Sequence, residues 1–429
     1  MKKIISLVIT AVLLAGVFSG CGNAGKNDSM SVLKGETVRI AAWGDFSPQA
    51  GTELGDARLE KIAAAEEKYG CKVEFETVSD IFGQMKLAAS SGEVIADICT
   101  TRAHYIGPLA RADALWSPEE LTDTSNAIYN KDAFENSKVN GKSYGFWYDP
   151  YFVDQVLYFN KGILARAGIA EPYEMVKNKT WNYDAFLDIM KKTTDANSGI
   201  IGCGMAQAFE STFMKSNNAS IYAKQSDGKW VQNTGDSKVL TALTFLADCV
   251  TKWKVIDPNN GRDWTWPLTQ FAEGRYTTCL GALSIAKSNF KNMADDYGIL
   301  PLPMGPDADE YTRPALELRA YCIQKSVPKE RAAALMQFMN EAFEYPLDTE
   351  TSIEGYYSSI VKDKESLEML MMMQQQPIRT VEEFTAPDVR GTEIIGALQD
   401  ASKGAAPVRS TLDSYSGKIQ ALLDEYYDQ

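Results

Sequence analysis

The residues with chemical capability in this 429-residue chain are mostly aromatic rings set beside charged groups. Trp43 stands two residues from Asp45. Arg102, His104 and Tyr105 form a second group. Trp147-Tyr148-Asp149-Pro150-Tyr151 is the densest, Trp264 and Trp266 flank Thr265, and Glu317 and Arg319 lie close together. Tyr356 and Tyr357 follow Gly355. Flat rings can cover weakly apolar C–H faces, and carboxylates or guanidiniums can hold hydroxyl rims. That is the complement a sugar requires. The same residues could instead serve hydrolysis. Asp45, Asp149 and Glu317 could supply the two carboxylates of a glycosidase, which stand about 5–5.5 Å apart in retaining and about 6.5–9.5 Å apart in inverting enzymes.

Other chemistries are poorly represented. The chain has no Gly-x-Ser-x-Gly elbow, no HExxH helix and no phosphate-binding P-loop. A single histidine, His104, and the absence of any C-x-x-C pair argue against a Cys/His zinc site. Asp257 to Asp263 hints at a calcium loop, but Leu268 stands where an EF-hand needs its glutamate. No cofactor or metal is expected. The formal charge of −14 disfavours nucleic acid and anionic lipid surfaces as partners.

Short apolar strands alternating with amphipathic helices must position these groups. Val38 to Ala42 reads as a first strand, Val73, Phe75 and Thr77 as a second, and Ile95 to Cys99 as a third. Stripes such as Leu243, Leu246, Val250, Trp253 and Ala332, Leu335, Met336, Met339, Phe343 have helical spacing. The alternation implies α/β layers with mainly parallel sheets, and the length implies two domains. Trp116, Trp181 and Trp253 fall on turn or helix patterns and read as packing residues. Cys71, Cys99, Cys203, Cys249, Cys279 and Cys322 sit mostly in apolar segments and read as buried thiols, although export would permit disulfides.

The first twenty residues read as a secretory signal. Lys2 and Lys3 precede an apolar run from Ile4 to Phe18, and Ser19-Gly20 precede Cys21. Small residues followed by Cys resemble the lipobox of bacterial lipoproteins, in which the Cys is diacylated after cleavage. Phe18 replaces the usual Leu. Residues 21–35 read as a flexible tether.

Several motifs occur in a fixed order behind this start. They are Ala42-Trp43-Gly44-Asp45, Lys86 to Glu93 followed by Ala96-Asp97-Ile98, and Gly141-Lys142-Ser143-Tyr144-Gly145. Tyr158-Phe159-Asn160-Lys161, Ala167-Gly168-Ile169 and Thr180-Trp181-Asn182-Tyr183 follow, then Phe271 to Tyr276 and Leu300 to Pro306. Together they resemble the extracellular solute-binding proteins of ABC importers, in the sugar-binding family that includes the maltose-binding protein. The resemblance implies a two-lobed periplasmic-binding-protein-like α/β fold whose lobes are joined by crossover hinges. Lobe 1 would comprise 36–147 plus 312–345, and lobe 2 148–305 plus 346–429. It implies a monomer that captures a carbohydrate between the lobes and passes it to ABC permease subunits, without catalysis. The site residues expected there are Trp43, Asp45, Arg102, His104, Trp147, Tyr148, Asp149, Tyr151, Trp264, Trp266, Glu317, Arg319 and Tyr356. One stacking position of the family is missing, because Gly281-Ala282-Leu283-Ser284 carries no Trp. Polyamines, peptides and amino-acid-like solutes remain alternative ligands.

Overall fold

The computed structural model describes residues 29–125, 128–205, 208–225, 229–257, 265–316, 318–380 and 393–427. The signal segment, Cys21, residues 22–28, Trp264, Glu317 and most of the Asp257–Asp263 loop lie outside these residues.

The chain enters the first lobe through β1 (Thr37–Ala42), β2 (Lys72–Thr77) and β3 (Ile98–Arg102). It then crosses to a second lobe that holds β4 (Gln155–Asn160), β5 (Ile201–Gly204), β6 (Ile256–Asp257), β7 (Tyr276–Ala282) and β8 (Tyr297–Leu300). A return through β9 (Arg313–Ala315) leads to β10 (Arg319–Cys322), which rejoins the first lobe. The first sheet has the order β10-β3-β1-β2, with β1 parallel to β2 and β3, and β10 antiparallel to β3. The second has the order β6-β5-β7-β4-β8, with β4 antiparallel to both neighbours. Two interruptions of sequential order, β10 beside β3 and β4 inside the second sheet, make this a two-lobed body.

Burial explains the strand composition. All of β4 is buried, so its sequence QVLYFN carries no polar face. In the first sheet the alternation of side chains separates two cores. Val38, Ile40, Ile98 and Ile323 join Leu335 and Phe343 on one side. Ala41, Cys99, Ala320 and Cys322 join Met85 and Leu109 on the other. The six cysteines are all buried and unpaired. Trp181 is fully buried, and its indole N–H donates to the Pro301 carbonyl at 3.0 Å. Trp116 donates to the Val327 carbonyl. Trp253 departs from the packing role read for it: it is 37% exposed, with the Lys191 ammonium 3.2 Å from its ring centre.

Local chain chemistry fixes the helix ends. Thr52 caps the helix Glu53–Tyr69 by accepting from the Gly55 N–H, and Gly70 ends it at φ 65°. Asn182 caps Tyr183–Thr193 through the Ala185 N–H, and Gly168 adopts φ 69° after the preceding short helix. Part of the stretch read as a tether has structure. Ser29–Leu33 forms a helical turn, and Leu33 is fully buried beside the helix Lys329–Phe343. One apolar side chain with a place in the core is enough to dock that turn.

The second lobe contains a buried acid. Glu210, in the helix Phe209–Ser216, is 2% exposed and accepts from the Ser402 hydroxyl at 2.9 Å. Burial pushes its carboxyl above the usual range. Between the unfolded and folded values the native state therefore holds the extra proton, so stability falls as pH rises through that window. Glu210→Gln should raise Tm at about pH 7.5 and lose that advantage by about pH 4.5. Thermal unfolding of both proteins across the range checks it; equal Tm differences at the two ends would refute the assignment.

Candidate functional site

The cleft wall of the first lobe is built where three strands end. Trp43 follows β1, Arg102 closes β3, and Arg319 opens β10. Because β10 runs antiparallel to β3, Arg319 stands directly opposite Arg102. The Arg102 guanidinium carbon lies 4.9 Å from the Trp43 ring centre and 5.9 Å from that of Tyr105. That of Arg319 lies 5.8 Å from Trp43 and 4.2 Å from Phe46. Trp43 and Phe46 meet edge to face at 4.8 Å, and Tyr105 stacks on Phe82 at 4.1 Å and 12°. His104 abuts Tyr105 at 4.3 Å. Three aromatic rings, Trp43, Phe46 and Tyr105, thus lie against two cations.

Asp45 is exposed. The Ser47 hydroxyl and backbone N–H both donate to its Oδ1, at 2.6 and 3.0 Å. Those bonds hold the carboxyl below the usual carboxylate range, so it is ionised at neutral pH. Asp45, Phe46, Thr77, Thr100 and Tyr321 line a pocket of about 360 Å³ at this edge of the sheet. Its polar atoms suit hydroxyls and its rings suit C–H faces.

The Trp147–Tyr151 run is divided by its own alternation. Trp147 stacks on Tyr321 at 4.6 Å and 29°. Tyr148 lies further from Tyr321, at 6.3 Å, and packs into the lobe 1 core; it is 4% exposed, and its hydroxyl donates to Asn340 Oδ1 at 2.8 Å. Asp149 pairs with Arg58. Burial pushes the Asp149 carboxyl up, and the Arg58 charge opposes that rise. The Tyr151 hydroxyl donates to the Arg319 carbonyl, joining the crossover to the strand end that carries the cation. Tyr148 and Tyr151 also line a pocket of about 930 Å³ across the hinge, with Tyr129, Arg313, Tyr345 and Gln374. Within the expected cluster Tyr148 is therefore a core ring, while Asp149 and Tyr151 are tied to Arg58 and to the Arg319 carbonyl.

In the second lobe, β5, β6 and β7 all point their carboxyl ends toward the crossover, since β7 pairs antiparallel with β4 at the strand that leaves it. Trp266 begins the helix that follows β6, is 37% exposed, and meets Tyr276 at 6.3 Å. The Tyr276 hydroxyl donates to Asp257 Oδ2 at 2.8 Å, at the end of β6. Trp266 thus packs beside the residue that opens β7, in neither the Trp43 group nor the hinge pocket. Tyr356 lies within the helix Thr349–Ser358, half-buried and packed on Phe152 at 4.7 Å. Among the described residues no group of His, Cys, Asp or Glu could hold a metal.

Residues 50–342 match the family of bacterial extracellular solute-binding proteins. The chain belongs to that family. Its fold is shared by solved structures of low sequence identity. One is the ABC substrate-binding protein Lmo0181 from Listeria monocytogenes, in complex with cycloalternan. It is 16% identical, with 90% of this chain and 98% of that one covered and a TM-score of 0.64. UspC of M. tuberculosis is 15% identical over 90% and 100%, with a TM-score of 0.66. UgpB of Mycobacterium tuberculosis, in complex with glycerophosphocholine, is 16% identical over 91% and 98%, with a TM-score of 0.62. For a solute-binding protein, the strand ends facing the crossovers are the place where ligands bind. Among the described residues no helix is long and apolar enough to cross a membrane.

Residue type and strand-end position singled out Trp43, Asp45, Arg102, His104, Tyr105 and Arg319, which the structure places at one edge of the first sheet. Phe46, Phe82 and Tyr321, which adjoin them, and Arg58, which pairs with Asp149, were not singled out. Phe46 could have been found, being three residues after Trp43 in one loop. Phe82 and Arg58 sit on helical patterns with no local sign of their partners.

Proposed function

We propose that this protein captures a carbohydrate, an oligosaccharide, between its lobes and delivers it to the permease of an ABC importer from a lipid anchor at Cys21. One observation carries the reading: Trp43, Phe46 and Tyr105 meet Arg102 and Arg319 at the cleft edge of the first lobe. Rings for C–H faces and forked donors for hydroxyls are combined there in one place. Cycloalternan bound to one structural neighbour supports a saccharide, whereas another holds glycerophosphocholine. Closure of two lobes around a ligand is the hinge motion available to such folds. The permease then distinguishes loaded from empty receptor by the relative position of the lobes. The receptor acts by binding alone; of the carboxylates considered for hydrolysis, Asp149 is tied to Arg58.

A thermal-shift panel of mono- and oligosaccharides, polyamines and peptides tests the ligand class. Saccharides should raise Tm and be recovered unchanged. If only polyamines or peptides shift it, the carbohydrate reading is wrong; new reducing ends would make the protein a glycosidase. For the anchor, Cys21→Ser should release the protein to the medium or leave its signal uncleaved, with ligand binding intact. Retention of a processed variant at the membrane would argue against lipidation.

A further inference from the structure

The first crossover separates two regions of the first lobe. Phe146 exchanges backbone hydrogen bonds with Tyr321, at 2.9 and 2.7 Å, on the side that leads through β10 and β3 to Trp43. Backbone groups alternate sides along extended chain, and the Trp147 carbonyl accepts from the Asn130 N–H at 2.8 Å on the other side. Asn130 caps the helix Lys131–Asn136, so Asp132, in its first turn, stands behind the crossover as seen from Trp43. Arg313 meets it there. Arg313 opens β9 on the second crossover and is buried. Its guanidinium donates to the Gln374 carbonyl at 2.9 Å, at the end of the helix Lys364–Gln374, which packs on β8 of the second lobe. It reaches the Tyr151 carbonyl at 3.5 Å and the Asp132 carboxylate at 3.3 Å, and its Nε has no acceptor among the described residues. Burial works against the Arg313 charge, and Asp132 offsets that. Glu344, the other acid along the same pocket of about 930 Å³, is paired with Lys61 at 2.7 Å.

We propose that the Asp132–Arg313 bridge is an ionic latch that holds the cleft open, so that affinity for an uncharged ligand depends on ionic strength. This rests on the reading above that the lobes close around a ligand. The crossovers stand between the bridge and the Trp43 group. A rotation about them that brings the second lobe toward Trp43 therefore carries Arg313, held to Gln374, away from Asp132. The bridge stabilises the open state and is lost on closure. Whatever favours the state that does not hold ligand lowers apparent affinity by the same factor. For an ion pair with one half-exposed partner that factor is up to about fivefold, and salt reduces it. A chain with a formal charge of −14 also resists compaction, and salt relaxes that resistance whether or not the bridge exists. The latch is therefore read from the ratio of variant to wild type, in which the general effect cancels.

The test is calorimetric titration of the full chain with the best neutral ligand of the thermal panel, at two salt concentrations. Asp132→Asn should bind it about fivefold tighter than the wild type at about 50 mM NaCl, and only about twofold tighter at about 500 mM. Asp132→Glu keeps the charge and should bind like the wild type. Without ligand, both variants should unfold at nearly the wild-type temperature, since Asp132 is half-exposed. Asp132→Ala serves in place of Asp132→Asn if that variant fails to fold. Equal or weaker binding by Asp132→Asn overturns the latch, as does an advantage that does not shrink with salt or an equal gain by Asp132→Glu. Each of these leaves the carbohydrate reading intact, because the thermal panel decides the ligand class beforehand and any neutral ligand found there serves the titration.

Discussion

Arg58→Ala should destabilise the protein by about 3 kcal/mol, because it leaves a poorly solvated carboxylate without its counter-charge. Arg58 is 6% exposed in the helix Glu53–Tyr69. Its guanidinium pairs with Asp149 on the first crossover and donates to the carbonyls of Phe343 and of Glu344, the latter at 3.0 Å. It also lies 5.6 Å from the centre of the Phe343 ring. One side chain thus ties a lobe 1 helix to the first crossover and to the point where the chain leaves the helix Lys329–Phe343. Burial already pushes the Asp149 carboxyl up, with Arg58 opposing. Removing Arg58 lets it rise further. A carboxyl raised in the folded state loses stability as pH rises from its unfolded value toward its folded one. The defect should therefore be larger at about pH 7 than at about pH 5. Adding Asp149→Asn to Arg58→Ala should recover part of the loss, since the stranded charge is then gone. Urea unfolding at both pH values measures this. A loss under about 1 kcal/mol with no pH dependence would show the pair to be no more than a solvated surface bridge.

The second large effect is on binding. Trp43→Ala should lower ligand affinity about 30-fold or more, the loss typical of a central aromatic anchor. Its ring lies beside both guanidiniums and Phe46, so truncation removes a stacking surface shared by all three. Trp43→Phe should retain part of the affinity by keeping a flat face. The measurement is calorimetric titration with the best ligand of the thermal panel, with Tm recorded in its absence. Affinity within threefold of the wild type would place the principal contacts elsewhere, with Trp266 of the second lobe the next residue to test.

The expected outcomes differ in how far they could be read from residue order. Trp43 and Arg102 were legible because each directly follows or ends a strand, and strand ends in α/β layers form the crevice. Asn182 and Gly168 were legible as a cap and a left-handed stop because those roles depend on neighbours within four residues. Tyr148 was not. It looked equivalent to Trp147, but along extended chain adjacent side chains point to opposite sides. Nothing local says which side holds the core; Tyr129 and Asn340, which meet Tyr148, come from distant segments. Leu33 was hidden in a polar stretch for the same reason: its burial depends on the helix Lys329–Phe343 being beside it.

The sequence alone determined the alternating α/β plan, the resemblance to solute-binding proteins, and the strand-end positions of Trp43 and Arg102. These follow from periodicity and short motifs, which are properties of nearby residues. Only the tertiary structure decided that β10 returns antiparallel beside β3, with Arg319 opposite Arg102 and both over one indole ring. Register between strands far apart in the chain is set by how two whole faces pack, and neither strand encodes it by itself.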